Sequence, residues 1–177
     1  MAKHKSSVSD TEKTNVMRIL DQQHLTYTAH HYSAAVALSG TEAAQAMGLD
    51  ANRVFKTLVC TSASGALYVF VIPAPDTLNL KRAARCVGEK NVEMLPLKEL
   101  LPRTGYVHGG CSPIGMKKQL KTVLHMTAWD YDTICVSAGK IGSQIELSAD
   151  TLSRVIPLTK ADVADAPSSE KDTSTPT

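Results

Sequence analysis

The chain has 177 residues, a hydrophobic fraction of 43% and a formal net charge of +2, which fits one domain with a full core, typical domains running to about 100–150 residues. The small net charge excludes an indiscriminate polyanion binder while permitting a local basic patch, and no apolar run approaches the ~20 residues of a membrane span. The N-terminal Met-Ala-Lys-His-Lys-Ser-Ser has no hydrophobic segment behind it, so it does not read as a secretory signal and a cytoplasmic location is expected.

Residues 1–10 and 165–177 are polar, lack periodicity and are expected to be disordered tails around a folded domain over 11–164. Residues 11–24 read as a helix with Val16, Ile19 and Leu20 on one face, and 41–47 as a second that Gly48 terminates. Residues 54–61 and 66–72 form an antiparallel pair around Ser62-Ala-Ser-Gly65. A helix over 79–87 ends at Gly88, 92–94 is a short strand, and a helical turn over 97–101 stops before Pro102. Strands are expected at 105–108, 133–137 and 144–147, a short helix at 149–155 and a final strand at 156–158. This irregular interleaving, without a dinucleotide-binding fingerprint, indicates an α+β domain: a mixed or antiparallel sheet with helices outside it.

Two segments carry chemistry. Thr104-Gly-Tyr-Val-His-Gly-Gly-Cys-Ser-Pro-Ile-Gly115 crowds four glycines and a proline into twelve residues. Gly109 and Gly110 allow backbone conformations closed to other residues and let a ligand come close. Ser112-Pro113 reads as an N-cap and first residue of a short helical turn, whose unpaired N–H groups can receive an anion or a polarised carbonyl. Taken alone, the same segment also reads as a tight structural turn. In Val54-Phe-Lys-Thr-Leu-Val59, alternation sets Phe55, Thr57 and Val59 on one face and Val54, Lys56, Leu58 and Cys60 on the other. Lys56 is then partly desolvated and can snorkel to water, pair with a carboxylate or point into a pocket.

Cys60, Cys86, Cys111 and Cys135 are widely spaced without a Cys-x-x-Cys pair, so they read as free thiols rather than a zinc or redox motif. His4, His24, His30, His31 and His125 show no metal-ligand spacing; no metal and no cofactor are expected. His108 and Cys111 share a loop, but no third residue to orient them is evident. Lys117, Lys118 and Lys121 follow the glycine-rich loop, and Lys81, Arg82 and Arg85 make a second basic face.

Tyr32, Gly40-Thr-Glu-Ala-Ala44, the Lys56 strand, the Gly-Gly-Cys-Ser-Pro-Ile-Gly loop and Val136-Ser-Ala-Gly-Lys-Ile-Gly-Ser-Gln-Ile-Glu-Leu147 occur in a telling order. Together, over roughly residues 14–160, they resemble the YbaK/EbsC family of aminoacyl-tRNA deacylases, in the superfamily of the prolyl-tRNA synthetase editing domain. The resemblance implies a mixed, largely antiparallel, barrel-like sheet surrounded by helices. It implies trans-editing of Cys-tRNA(Pro), and of Cys-tRNA(Cys), because a synthetase pocket cannot reject cysteine well against proline of similar size. In the family mechanism the substrate's own thiol attacks its ester, so the protein supplies positioning and electrostatics.

By this resemblance Lys56 holds the phosphate or ribose of the terminal adenosine, Thr57 lines the neighbouring contact, and Gly109 and Gly110 bring backbone N–H groups to the developing oxyanion. Tyr32, Gly40, Cys111, Ser112, Ser137 and Gln144 are the further substrate-binding positions, and Lys117, Lys118 and Lys121 contact tRNA phosphate. The implied partners are aminoacyl-tRNA and, transiently, prolyl-tRNA synthetase; no membrane is involved, and the oligomeric state stays open. Ser39 stands where several members carry an aromatic residue, and Gln144 where some have aspartate, which keeps an acceptor but loses the charge. The alternatives are a deacylase for another small aminoacyl-tRNA such as Ala-tRNA(Pro), and a non-catalytic RNA-binding module on the same fold.

Overall fold

The computed structural model describes residues 13–33 and 36–168. Thr14 starts α1 (Asn15–Gln22) by accepting the Met17 amide on its hydroxyl at 3.3 Å, and the helix buries Val16, Met17 and Leu20. It is shorter than predicted because this cap sets its start and His24, at φ 55°, breaks its end. After β1 (Thr28–His31), α2 (Gly40–Met47) opens on a capping box between Ser39 and Glu42 and closes on Gly48 at φ 68°. A 3₁₀ turn at Ala51–Arg53 leads into β2 (Phe55–Ser62), which pairs antiparallel with β3 (Leu67–Pro73).

The chain continues through β4 (Thr77–Leu78), α3 (Leu80–Cys86), β5 (Val92–Met94) and α4 (Leu97–Thr104). It then forms β6 (Lys121–His125), β7 (Ile134–Lys140), β8 (Ser143–Leu147), α5 (Ala149–Val155), β9 (Leu158–Ala161) and β10 (Ala164–Asp165). The central sheet has the order β5-β2-β3-β6-β9, antiparallel on the β2 side and parallel from β3 to β9. A second sheet, β1-β8-β7, is antiparallel, and β10 pairs with β4. The α+β reading holds, but the expected barrel does not close: among the described residues the backbone pairing between the two larger sheets is a single bridge between Val54 and Cys135.

Alternation along β2 and β3 builds two cores, one on each face of the central sheet. Phe55, Val59, Val69 and Val71 pack towards the second sheet, against Ile134, Val136 and Ile145 and the Met17 and Leu20 face of α1. Cys60, Phe70 and Ile72 pack the other way, against Ala83 and Ala84 of α3.

Five sequence expectations are corrected. Helix α4 runs through Pro102 and ends at Thr104, where the Thr104 hydroxyl (2.7 Å) and the Gly105 amide (2.9 Å) satisfy the Leu100 and Leu101 carbonyls. Residues 105–108 are not a strand: Gly105 caps α4 at φ 86°, and the Tyr106 hydroxyl donates to the Ile114 carbonyl at 2.5 Å, folding the loop on itself. Ser112 does not start a helix; its hydroxyl accepts the Ile114 amide at 3.3 Å in a local bend, and the chain passes on to β6, which the sequence reading missed. The strand expected at 156–158 instead runs over Leu158–Ala161, and Asp165, placed in a tail by sequence, pairs with Thr77 and bonds Arg82. Residues 1–10 lie outside the described residues.

Candidate functional site

A cleft of about 350 Å³ opens where the start of β2 meets the edge of the second sheet. Strand β2 supplies Phe55, Lys56, Thr57 and Leu58 as its floor. One wall is Tyr32, Leu38, Ser39, Gly40 and Ala43 around the start of α2, with Ala74 behind them. The opposite wall is His108, Gly109 and Cys111, with Leu100 of α4, while Ser137 and Gln144, paired across β7 and β8, close the end. The structure thus gathers Tyr32, Gly40, Lys56, Thr57, Gly109, Cys111, Ser137 and Gln144 from segments far apart in sequence. Gly110 and Ser112 lie just behind the wall: Gly110 is buried against the Lys140–Ile141 backbone, and Ser112 is fully buried.

Two glycines are demanded by close approach. A Cβ on Gly40 would lie 2.5 Å from the Ala74 Cβ, and one on Gly109, at φ +85°, 2.5 Å from the Ala37 Cβ. Bare backbone therefore draws the two lips of the cleft together. The Gly110 amide donates to the Val107 carbonyl at 3.0 Å and is committed to that turn. The amides of Gly109 and Cys111 have no acceptor among the described residues, so these two, rather than the Gly109–Gly110 pair, are free to meet an oxyanion.

Among the described residues, two buried polar atoms in the lining lack a partner, Thr57 Oγ1 and Gln144 Oε1. Buried polar groups are nearly always bonded, so these ask for polar atoms from a ligand. Lys56 is half-buried; burial lowers its pKa, and the Asp76 carboxylate opposes that shift. Cys111 is 8% exposed, and burial pushes its thiol up to about 12. At neutral pH it is thiolate on the order of once in 10⁵, too rarely to act as a nucleophile. The Ser39 hydroxyl bonds Thr41 at 3.1 Å, and the Ser137 hydroxyl accepts the Gly139 amide at 3.1 Å; neither bonds a general base.

The basic cluster does not line the cleft. Lys117, Lys118 and Lys121 are all exposed, and Lys117 Nζ donates to the Pro102 carbonyl at 3.1 Å. Lys121 stands beside Tyr68, near the start of β3, whereas Lys56 stands opposite Ile72 near its end. Leu38, Ala43, Ala74 and Leu100 are lining residues the sequence reading missed; nothing marks small or apolar side chains as site residues before the fold assembles them.

One cluster could in principle hold a metal: donor atoms of His30, Cys135 and Glu146 lie within 4.8 Å of one another. The carboxylate is already engaged, with His30 Nε2 at 2.8 Å, the Thr133 hydroxyl donating at 2.5 Å and Arg53 at 3.5 Å. A guanidinium on the same carboxylate makes this a poor cation site, and the bonds instead tie β1, β7 and β8 to the turn before β2.

The chain is 44% identical over 153 residues to EbsC of Enterococcus faecalis, whose name gives it as a Cys-tRNA(Pro)/Cys-tRNA(Cys) deacylase; the match covers 86% of this chain and 91% of EbsC. A 76-residue stretch is 34% identical to the proline–tRNA ligase of Shouchella clausii, covering 43% of this chain and 13% of the ligase. The fold matches a solved structure described as a trans-editing enzyme for prolyl-tRNA synthetase, with TM-score 0.75, 22% identity and coverage of 86% of this chain and 99% of that one. Residues 35–155 match the aminoacyl-tRNA editing domain, a span that contains every cleft residue named above except Tyr32, and the chain belongs to that family.

Proposed function

We propose that this chain is a trans-editing deacylase that releases cysteine from mischarged Cys-tRNA(Pro), and from Cys-tRNA(Cys), using the substrate's own thiol as nucleophile. One observation carries the reading: the cleft offers donors, acceptors and a cation, but its single thiol, on Cys111, is buried and has no general base bonded to it among the described residues. Such a site positions rather than attacks. The cysteinyl sulfur bonds to the ester carbonyl carbon, the C–O bond to the ribose breaks, and the thiol proton passes to the departing ribose oxygen. Water then opens the resulting four-membered thiolactone to free cysteine.

Lys56 holds the ribose or phosphate of the terminal adenosine, and the Gly109 and Cys111 amides stabilise the oxyanion. Gln144 Oε1 accepts from the α-ammonium group, and Thr57 Oγ1 meets a second polar atom of the aminoacyl-adenosine. Tyr32, Gly40 and Ser137 shape the pocket, and Ser112 braces the loop behind it. Lys117, Lys118 and Lys121, away from the cleft, contact phosphates of the tRNA body without reading sequence. Prolyl-tRNA synthetase is the partner that supplies tRNA choice.

The test is deacylation of Cys-tRNA(Pro), Ala-tRNA(Pro) and Pro-tRNA(Pro) by the wild type and Lys56→Ala. Selective release of cysteine, lowered about a hundredfold or more in Lys56→Ala, is the expected outcome. Rapid turnover of Ala-tRNA(Pro), which has no thiol, would refute the substrate-assisted step. Full activity in Lys56→Ala would remove Lys56 from the site.

A further inference from the structure

The Gly109 and Cys111 amides sit on a loop braced by a side chain that the chemistry above leaves unused. Tyr106 and Ile114 stand at the two ends of a stretch whose middle, His108, Gly109 and Cys111, walls the cleft. The Tyr106 hydroxyl donates to the Ile114 carbonyl at 2.5 Å, and the Tyr106 amide donates to the Thr104 hydroxyl at 3.1 Å. Ile114 is 1% exposed and packs in the same core as Met17 and Leu20 of α1, so that end of the loop is anchored. The hydroxyl bond ties the near end to the anchored one, and closing a loop removes conformations open to the residues between.

The ring reaches the second sheet as well. A Cβ on Gly139 would lie 2.9 Å from the Tyr106 Cε1, and one on Gly115 2.8 Å from the Tyr106 hydroxyl oxygen. The ring therefore fills a slot that these two bare backbones leave open. Gly139 lies where the register of β7 against β8 shifts, between Ser137 and Lys140, and its amide donates to the Ser137 hydroxyl at 3.1 Å. Gly110 meets the same segment: a Cβ there would lie 3.1 Å from the Ile141 nitrogen. Tyr106 and Gly110 thus dock the loop on the irregular stretch that follows Ser137, and Ser137 with Gln144 closes the end of the cleft. The wall with the Gly109 and Cys111 amides and the end with Ser137 and Gln144 share one strut.

The hydroxyl itself moves no proton. It is committed to Ile114, and burial pushes it up to about 12, so it stays protonated and donating at neutral pH. Its effect on the reaction runs through the loop. Donors to an oxyanion lower the barrier only when they are held in place before charge develops.

We propose that Tyr106 is a positioning residue for the deacylation: bonded to Ile114 from its slot between Gly115 and Gly139, it closes residues 106–114 into a rigid loop and keeps the Gly109 and Cys111 amides turned to the ester. The proposal rests on those amides meeting the oxyanion, as assigned above.

The experiment uses the full chain and two variants. Tyr106→Phe keeps the ring in its slot and removes the one bond; Tyr27→Phe removes a hydroxyl that bonds Asp21 at 3.0 Å, away from the cleft lining. Backbone order parameters of Gly109 and Cys111 are measured by NMR without tRNA, and kcat and KM for Cys-tRNA(Pro) are measured where both variants are folded. In Tyr106→Phe the two order parameters fall below the ~0.85 of rigid backbone. There kcat falls about tenfold while KM changes less than about twofold, because the amides act on the transition state rather than on the bound ester. Tyr27→Phe moves neither readout. Unchanged order parameters or an unchanged kcat in folded Tyr106→Phe overturns the proposal, and so does a rise in KM at constant kcat. If the order parameters fall but neither wild type nor variant releases cysteine, the strut stands and the substrate assignment fails.

Discussion

Replacing Gly109 by alanine puts a methyl group where the cleft has no room and the backbone little tolerance. At φ +85° the new residue sits in the left-handed region, which costs an L-amino acid roughly 1–2 kcal/mol. Its Cβ would lie 2.5 Å from the Ala37 Cβ, far inside ordinary contact, and overpacking of this kind costs about 1–3 kcal/mol. The two together give about 2–5 kcal/mol, which at ~2–4 °C per kcal/mol for a chain of this size lowers Tm on the order of 10 °C. Relief requires the segment before α2 to move outward, carrying Leu38 and Ser39 away from the Gly109 amide. A displacement of that order costs about a hundredfold in kcat/KM.

Denaturant unfolding in a cycle with Ala37→Gly separates the two contributions. In the Gly109→Ala background, Ala37→Gly removes the clash and recovers the steric part, about 1–3 kcal/mol. The backbone part remains, because glycine at 37 does nothing for φ at 109. Additivity of the two substitutions would refute the clash. An unchanged Tm in Gly109→Ala alone would refute both parts of the reasoning.

Two further outcomes follow from the electrostatics. Cys111→Ala should keep kcat/KM within about threefold, since a thiol pushed up to about 12 contributes no thiolate at neutral pH; loss of activity on the scale of Lys56→Ala would make Cys111 a participant. Glu146 titrates below its ordinary 4.5, first because the Thr133 hydroxyl donates to it, then because His30 and Arg53 attract it. A carboxylate with a depressed folded pKa stabilises the fold above its unfolded pKa and loses that contribution as pH falls through the folded value. Glu146→Gln should therefore cost about 1–3 kcal/mol at pH 7, with the gap closing below about pH 4; a gap independent of pH in denaturant titrations would refute the charge-based account.

Much of the local structure was legible because its causes are local. Gly48 and Gly88 mark helix ends whatever surrounds them. The alternation of β2 announced two faces, and the structure gives each face its own core. Helix α4 continues past Pro102 to a close at Thr104 and Gly105. Residues 105–108 looked like a strand, but a strand needs a neighbour, and Tyr106 instead bonds Ile114. Strand β6 went unread because only its flanking parallel neighbours, β3 and β9, make so short a segment a strand.

By itself, the sequence determined the α+β class, the family and eight of the residues that meet in the cleft. The motifs are short runs whose chemistry, a desolvated lysine and a glycine loop open to a ligand, survives in linear form. Tertiary structure alone decided which amides are free and which charges face each other. The Gly110 amide is spent on Val107 while those of Gly109 and Cys111 have no acceptor among the described residues. Hydrogen-bond satisfaction and charge pairing depend on distances between segments far apart in the chain, and those distances are fixed only when the two cores pack.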